Sequence, residues 1–160
     1  MDAFWEAAQA YCDVIDRAAK TVTTEDENAQ YDFMKEVYKA LLSVMREASR
    51  LQPRPVKSSK PLSNSNSAAY ENSAAALTSV LKEQDVYHSV FDPYAHEDDS
   101  EILLSNDLAE IYEDLREGLG LRDSDEDPDE IEWNQWFAFW NHWGNHASDA
   151  VKTLGFKLQG

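Results

Sequence analysis

Only one cysteine, Cys12, stands among the 160 residues, so no intramolecular disulfide can form and a small scaffold built on disulfide staples is excluded. Glycine is also scarce, at five residues, and they assemble no phosphate-cradling loop, dinucleotide fingerprint or Gly-x-Ser-x-Gly elbow. No apolar run approaches the ~18 residues that a membrane span needs. Residues 1–10, acidic and amphipathic, have neither the basic region nor the apolar run of a signal peptide. A cytoplasmic protein without a membrane segment is expected. Basic residues are scarcest where acids are densest. Residues 92–132 hold 17 acids against Arg116 and Arg122 alone, whereas residues 1–91 hold 13 acids against 10 bases and residues 133–160 hold one against two. The net charge of −17 is therefore concentrated in one quarter of the chain. Such a field repels phosphate backbones and anionic lipid, so direct binding to nucleic acid or membrane is not expected.

What the chain has is apolar residues at helical spacing. With 42 % hydrophobic and 11 % aromatic residues it can bury a core, which argues against disorder. A helix over roughly 2–20 places Phe4, Ala7, Ala8, Tyr11, Val14, Ile15 and Ala18 on one face, with Trp5 and Cys12 on its flank; residues 21–27 read as a turn. A second helix, about 28–51, is carried by Phe33, Val37, Leu41, Val44, Ala48 and Leu51 and stopped by Pro53 and Pro55. Residues 52–66 form a Pro/Ser/Asn linker. A third helix, about 67–82, uses Tyr70, Ala74, Leu77 and Leu81. A short helical turn at 85–91 and an acidic loop at 94–103 follow. Ser105 is expected to cap a helix ended by Gly118 and Gly120, with Leu104, Leu108, Ile111, Tyr112, Leu115 and Leu119 inward. After an acidic loop at 123–130, a last helix over about 131–154 is expected to turn Trp133, Trp136, Phe137, Trp140, Trp143, Ala147, Val151 and Leu154 inward, with Gly144 on that face allowing close helix approach. The expected fold is all-α: one domain over 1–160, an irregular bundle of about five or six helices.

Several constellations bear on chemistry. Asp123, Asp125, Asp127 and Asp129 alternate like the start of a calcium loop, but the sixth position is Pro128 and the twelfth Asn134, so an EF-hand is rejected and a solvated acidic loop preferred. Asp107, Glu110, Asp114 and Glu117, spaced 3, 4, 3, share one helix face. Asp107, Glu110 and Asp114 would hold a divalent cation if a second acidic segment faced them, as in metal-dependent hydrolases. The row is expected to point away from the apolar stripe, into water. His142 and His146, at i and i+4, can chelate a transition metal. With no His-Glu-x-x-His pattern around them they are taken as surface histidines, while His88 and His96 cannot be placed. Cys12 reads as a packed thiol, and the tryptophans from Trp133 to Trp143 read chiefly as core. Arg46, Arg50, Arg54, Lys57 and Lys60 form the one basic cluster, able to dock the acidic region within the chain or across a dimer.

Val86-Tyr87, Val90-Phe91-Asp92-Pro93, the run from Leu108 to Leu115, and Trp143-Gly144 together resemble an uncharacterised bacterial family, the domain-of-unknown-function family numbered five thousand and sixty-three. The likeness spans mainly residues 80–155 and departs at Glu110 and Glu113, where that family pattern has Asp and Gln. It implies a small helical protein with no assigned activity or catalytic residues, and it marks Tyr112, Asp114 and Trp143 as binding positions to test. Two function classes follow. The leading one is a non-enzymatic interaction or accessory protein without a cofactor, whose acidic surface meets a basic partner or a second copy; a nucleic-acid mimic is its special case. The other is a metal-dependent hydrolase using a divalent cation on the 105–119 helix.

Overall fold

The computed structural model describes residues 2–21, 26–56, 67–90 and 92–159. The turn expected at 21–27 and the linker at 52–66 fall partly outside them, as do Lys57 and Lys60. In order come α1 (Asp2–Asp16), α2 (Ala18–Thr21), α3 (Glu27–Ser49), α4 (Ser67–Leu81), β1 (Val86–Ser89), β2 (Ser100–Leu103), α5 (Leu104–Arg122), α6 (Pro128–Ala138), a π-turn (Phe139–Trp143) and α7 (Gly144–Lys157). The segments α6, π-turn and α7 run on as one rod, so five long helices make an irregular all-α bundle.

The first two rods form as their periodicity predicts. On α1, Phe4, Ala8, Tyr11 and Ile15 are buried; on α3, Val37, Leu41, Val44 and Ala48 are fully buried, and the two helices pack together. Each large side chain buried there contributes roughly 1.5–3 kcal/mol. Asp26 starts α3 by accepting a hydrogen bond from the Asn28 amide (2.9 Å), satisfying an otherwise orphaned donor. At the far end of α4, Gln30 donates to the carbonyls of Val80 and Leu81 (both 2.9 Å), filling the acceptors that a helix end leaves open.

Residues 85–103 differ from expectation. Instead of a helical turn and a loop, β1 and β2 pair antiparallel, with Val86 opposite Leu103 and Ser89 opposite Ser100. Each strand is four residues long, and its partner lies more than ten residues away, beyond what local periodicity can register. The ribbon delivers the chain into α5, and Ser105 is not its cap. The buried Asp85 is: its carboxylate accepts from the Ser105 amide (2.6 Å) and hydroxyl (2.8 Å), and its carbonyl accepts from the Leu104 amide (2.7 Å). A carboxylate at the positive end of a helix is stabilised by the helix field.

Helix α5 is the axis of the bundle, packed against α1, α4, α6 and α7. Its polar row is therefore turned partly toward protein: Asp107 is only 2 % exposed, and Glu110, Asp114 and Glu117 are half-buried. Neither Gly118 nor Gly120 ends α5. Gly118 is buried in mid-helix, and a Cβ there would lie 2.3 Å from the Gln135 side-chain nitrogen, so the glycine makes room for a glutamine of α6.

The last rod departs furthest from a uniform helix. Its inner face is Ile131, Gln135, Phe139, Trp143, Ala147, Ala150 and Leu154, while Phe137 and Trp140 are exposed. Four successive steps of four residues drift about 40° each on a regular helix. The π-turn widens the coil by one residue and restores the alignment. Gly144 serves this turn: a Cβ would fall 2.2 Å from the Phe139 carbonyl oxygen, so its bareness accommodates backbone of its own rod, not a neighbouring helix. No described helix is long and apolar enough to cross a membrane.

Candidate functional site

The carboxylate row of α5 and the histidine pair of the last rod meet each other. Asp107, Glu110 and Asp114 lie on the α5 face turned toward α7. Opposite them, His142 comes from the π-turn and His146 from the first turn of α7. His146 Nδ1 is 2.8 Å from Asp107 Oδ1, and His142 Nδ1 is 2.5 Å from Asp114 Oδ2. A carboxylate only accepts, so each Nδ1 carries a hydrogen, and in the neutral ring the Nε2 lone pair is the one left for another partner. His142 Nε2 points toward Glu110, 3.6 Å from Oε2. The two imidazoles stand edge to face at 5.3 Å between centroids.

One donor atom each from Glu110, His142 and His146 lies within 4.8 Å of the others. Bonds of ~2.0–2.2 Å in a tetrahedron put ligand atoms roughly 3.3–3.6 Å apart, the separation that His142 and Glu110 already have. The set is two imidazoles and a carboxylate, with two more carboxylates orienting the rings from behind. Imidazole selects transition metals over calcium or magnesium, and carboxylate–histidine pairs fix the tautomer and raise ligand basicity.

Further groups complete the surroundings. Tyr87, from β1, donates its hydroxyl to Asp107 Oδ2. Burial first, and then this bond, hold the Tyr87 phenol well above the usual range. The hydrogen bond to Asp114 raises the His142 pKa, against the opposing effect of partial burial. Asp149, one turn beyond His146, has its carboxyl raised by burial and then by the charge of Asp107. A cleft of about 310 Å³ opens beside His142 and Asp114, lined also by Glu117, Trp133, Gln135 and Phe137.

The positions marked in sequence thus separate. Glu110 belongs to the donor set, while Asp107 and Asp114 stand behind the histidines. Among the described residues no second acidic helix faces them; histidines do, and of this pair, taken for surface residues, His142 is indeed exposed while His146 is partly buried. Tyr112 lies on another side of α5, where its hydroxyl donates to Asp16 (2.6 Å) and accepts from Arg116 Nε (3.2 Å), tying α5 to α1. Trp143 is fully buried against Phe139, with centroids 4.8 Å apart. Its indole nitrogen and the Gln135 amide oxygen are the buried side-chain atoms among the described residues with no hydrogen-bond partner. Cys12 is buried, its thiol pushed up to about 12 by burial despite the opposing charge of Arg116. Tyr87 fell within the likeness noted in sequence; nothing in sequence marked Gln135 or Asp149.

The family model described as "Domain of unknown function (DUF5063)" matches residues 1–158. The chain belongs to the DUF5063 family. The crystal structure of protein BF1032 from Bacteroides fragilis is similar at 20 % identity and a TM-score of 0.76, over 96 % of this chain and 88 % of that one. That likeness speaks to fold alone. No curated protein matches the chain.

Proposed function

We propose that this protein is a metal-dependent hydrolase whose divalent transition metal, of the zinc type, is held by Glu110, His142 and His146. The observation that carries the reading is the pairing of both histidines with carboxylates on the face opposite their free nitrogens. Three protein donors rather than four correspond to a catalytic rather than a structural site, because a position stays open for substrate. A metal bound there would supply Lewis acidity at neutral pH. The protein's own residues supply the rest: Asp107 and Asp114 hold the rings in the ligating tautomer, and Tyr87 fixes Asp107.

Thermal melting with zinc, manganese or magnesium at matched ionic strength tests this. A site filled at 100 times its dissociation constant adds about 2.7 kcal/mol, a rise of several degrees. The rise is expected for zinc, is smaller or absent for magnesium, and is lost in His142→Ala and in His146→Ala. An equal rise in both variants, or none in the native chain, overturns the reading.

A second reading keeps the acidic surface for a basic partner. It is favoured by the exposure of every residue from 92 to 101 and from 122 to 128. A charge-led complex of this kind is expected to dissociate between 50 and 200 mM salt; a complex insensitive to salt counts against it.

A further inference from the structure

The outer side of the last rod carries a stripe that lies outside the histidine–carboxylate pairs. Its exposed rings are Phe137, 45 % exposed, and Trp140, 56 % exposed, with the half-buried Trp133 beside them. At the turn of a regular helix, Asp129, Glu130, Trp133, Phe137 and Trp140 fall within roughly a third of the circumference, opposite the buried Ile131 and Gln135. The rings are held in place. Trp133 and Phe137 stack at 5.1 Å with their planes 13° apart, and Trp140 stands edge-on to the buried Phe139 at 4.9 Å. Single apolar residues on a surface are ordinary, but contiguous ones mark interaction sites, and Trp is enriched where partners bind most tightly. Rings already fixed lose little freedom when a partner covers them.

The charge around the stripe decides what covers it. Residues 122–132 hold seven acids against Arg122, and that guanidinium lies over the Trp5 ring, 5.8 Å from its centroid. Toward α3, Glu132 shares a small cleft with Glu47 and Arg50, and Arg50 is paired with Glu47 (3.8 Å). Toward α5 stand Glu117 and Asp114, the latter paired with His142. Anionic lipid and nucleic acid are repelled by such a field, and a second copy would bring the same acids to it. An extended peptide finds no sheet edge on a helix face for its backbone groups, whereas a helix satisfies its own. From Asp129 to Trp140 the stripe runs about 16 Å, or about three turns. We propose that it docks a cationic amphipathic helix of a partner protein, whose apolar side chains lie on Trp133, Phe137 and Trp140 and whose lysines or arginines lie over the acidic entry to α6. The proposal gives the basic-partner reading a place on the surface and rests on it for the sign of the charge; it does not depend on the metal.

Fluorescence anisotropy of labelled peptides about five turns long, titrated with the full chain, tests this. One peptide sets leucines at i, i+3, i+4 and i+7 among lysines, the second scrambles the same composition, and the third has glutamates for the lysines. In 50 mM salt the amphipathic lysine peptide is expected to bind at least tenfold more tightly than its scrambled form, and the glutamate peptide not at all. Raising salt to 200 mM is expected to weaken the binding severalfold. Phe137→Ser and Trp140→Ser, both on the exposed face, are each expected to weaken it three- to tenfold while circular dichroism and melting temperature stay native. Equal binding of the ordered and scrambled lysine peptides, or indifference to both substitutions, overturns the stripe; if salt still weakens that binding, the basic-partner reading survives without it. No binding of either lysine peptide, binding that salt leaves unchanged, or binding of the glutamate peptide overturns both. Uptake of the native chain but not of Trp140→Ser by phosphatidylcholine vesicles assigns the stripe to lipid, and a dimer in sedimentation that Trp140→Ser dissolves assigns it to a second copy; either result overturns the proposal.

Discussion

The seam between α1 and α3 and the seam between α5 and α7 lie in the same bundle and are made of opposite materials. The first is aliphatic and aromatic, with Phe4, Ala8 and Ile15 against Val37, Leu41 and Val44. The second sets Asp107, Glu110 and Asp114 against His142 and His146. Removing carboxylates and imidazoles from water is costly unless each finds a partner, and here Asp107 has two, His146 and Tyr87. The apolar seam needs only shape and area to be stable, whereas the polar seam depends on correct pairing. The apolar seam thus anchors α1 on α3, and the paired polar groups are concentrated between α5 and α7.

The largest effect should come from damage to the apolar seam. Leu41→Ala is expected to lower unfolding free energy by about 2–5 kcal/mol, read by urea denaturation, while the zinc-dependent rise in melting temperature is kept. Loss of that rise would show that the two seams are not separable. Next, Asp107→Asn keeps one acceptor oxygen, enough for Tyr87 or His146 but not both, and removes the charge that orients the imidazole. It is expected to weaken zinc affinity roughly 10–100-fold with a smaller change in the metal-free melting temperature; a stability loss as large as that of Leu41→Ala with unchanged zinc affinity would make the pairing purely structural. The smallest effect concerns pH. Burial raises the Cys12 thiol from 9.0 to about 12 and the Tyr11 phenol well above 10.0, so both are neutral in the fold. Their contribution is complete below the unfolded values and is lost as pH climbs from about 9 toward 12, by at most ~1.4 kcal/mol per pH unit for each group. Stability measured across that range should fall, and Cys12 should react with thiol reagents at pH 8 only once the chain unfolds.

The two seams were also unequally legible. The stripes Phe4 to Ala18 and Phe33 to Leu51 were read from spacing, because a regular helix repeats faithfully and its buried face needs no knowledge of partners. The halves of the polar seam were both visible, as a carboxylate row and as a histidine pair, but their meeting is a tertiary fact. Each was assigned to water because nothing local says that α5 is enclosed by four helices. The strands around Tyr87 and Ile102 were too short to show a period. The inner face of the last rod was misread for a different reason: a uniform 100° per residue carries Trp136, Phe137 and Trp140 inward, and only the π-turn turns Phe139 and Gln135 there instead.

That turn is a dislocation in a one-dimensional lattice: an extra residue inserted once, with perfect order on either side and the two halves out of phase. Everything after residue 143 is rotated by about a quarter-turn from where an undisturbed helix would carry it, and that includes His146. Removing one residue between 139 and 143 would let the rod relax into an ordinary helix and swing His146 away from Asp107, although Glu110, His142 and His146 all remained in the chain. A change of length at this point would therefore dismantle the proposed site as surely as the substitution of a histidine.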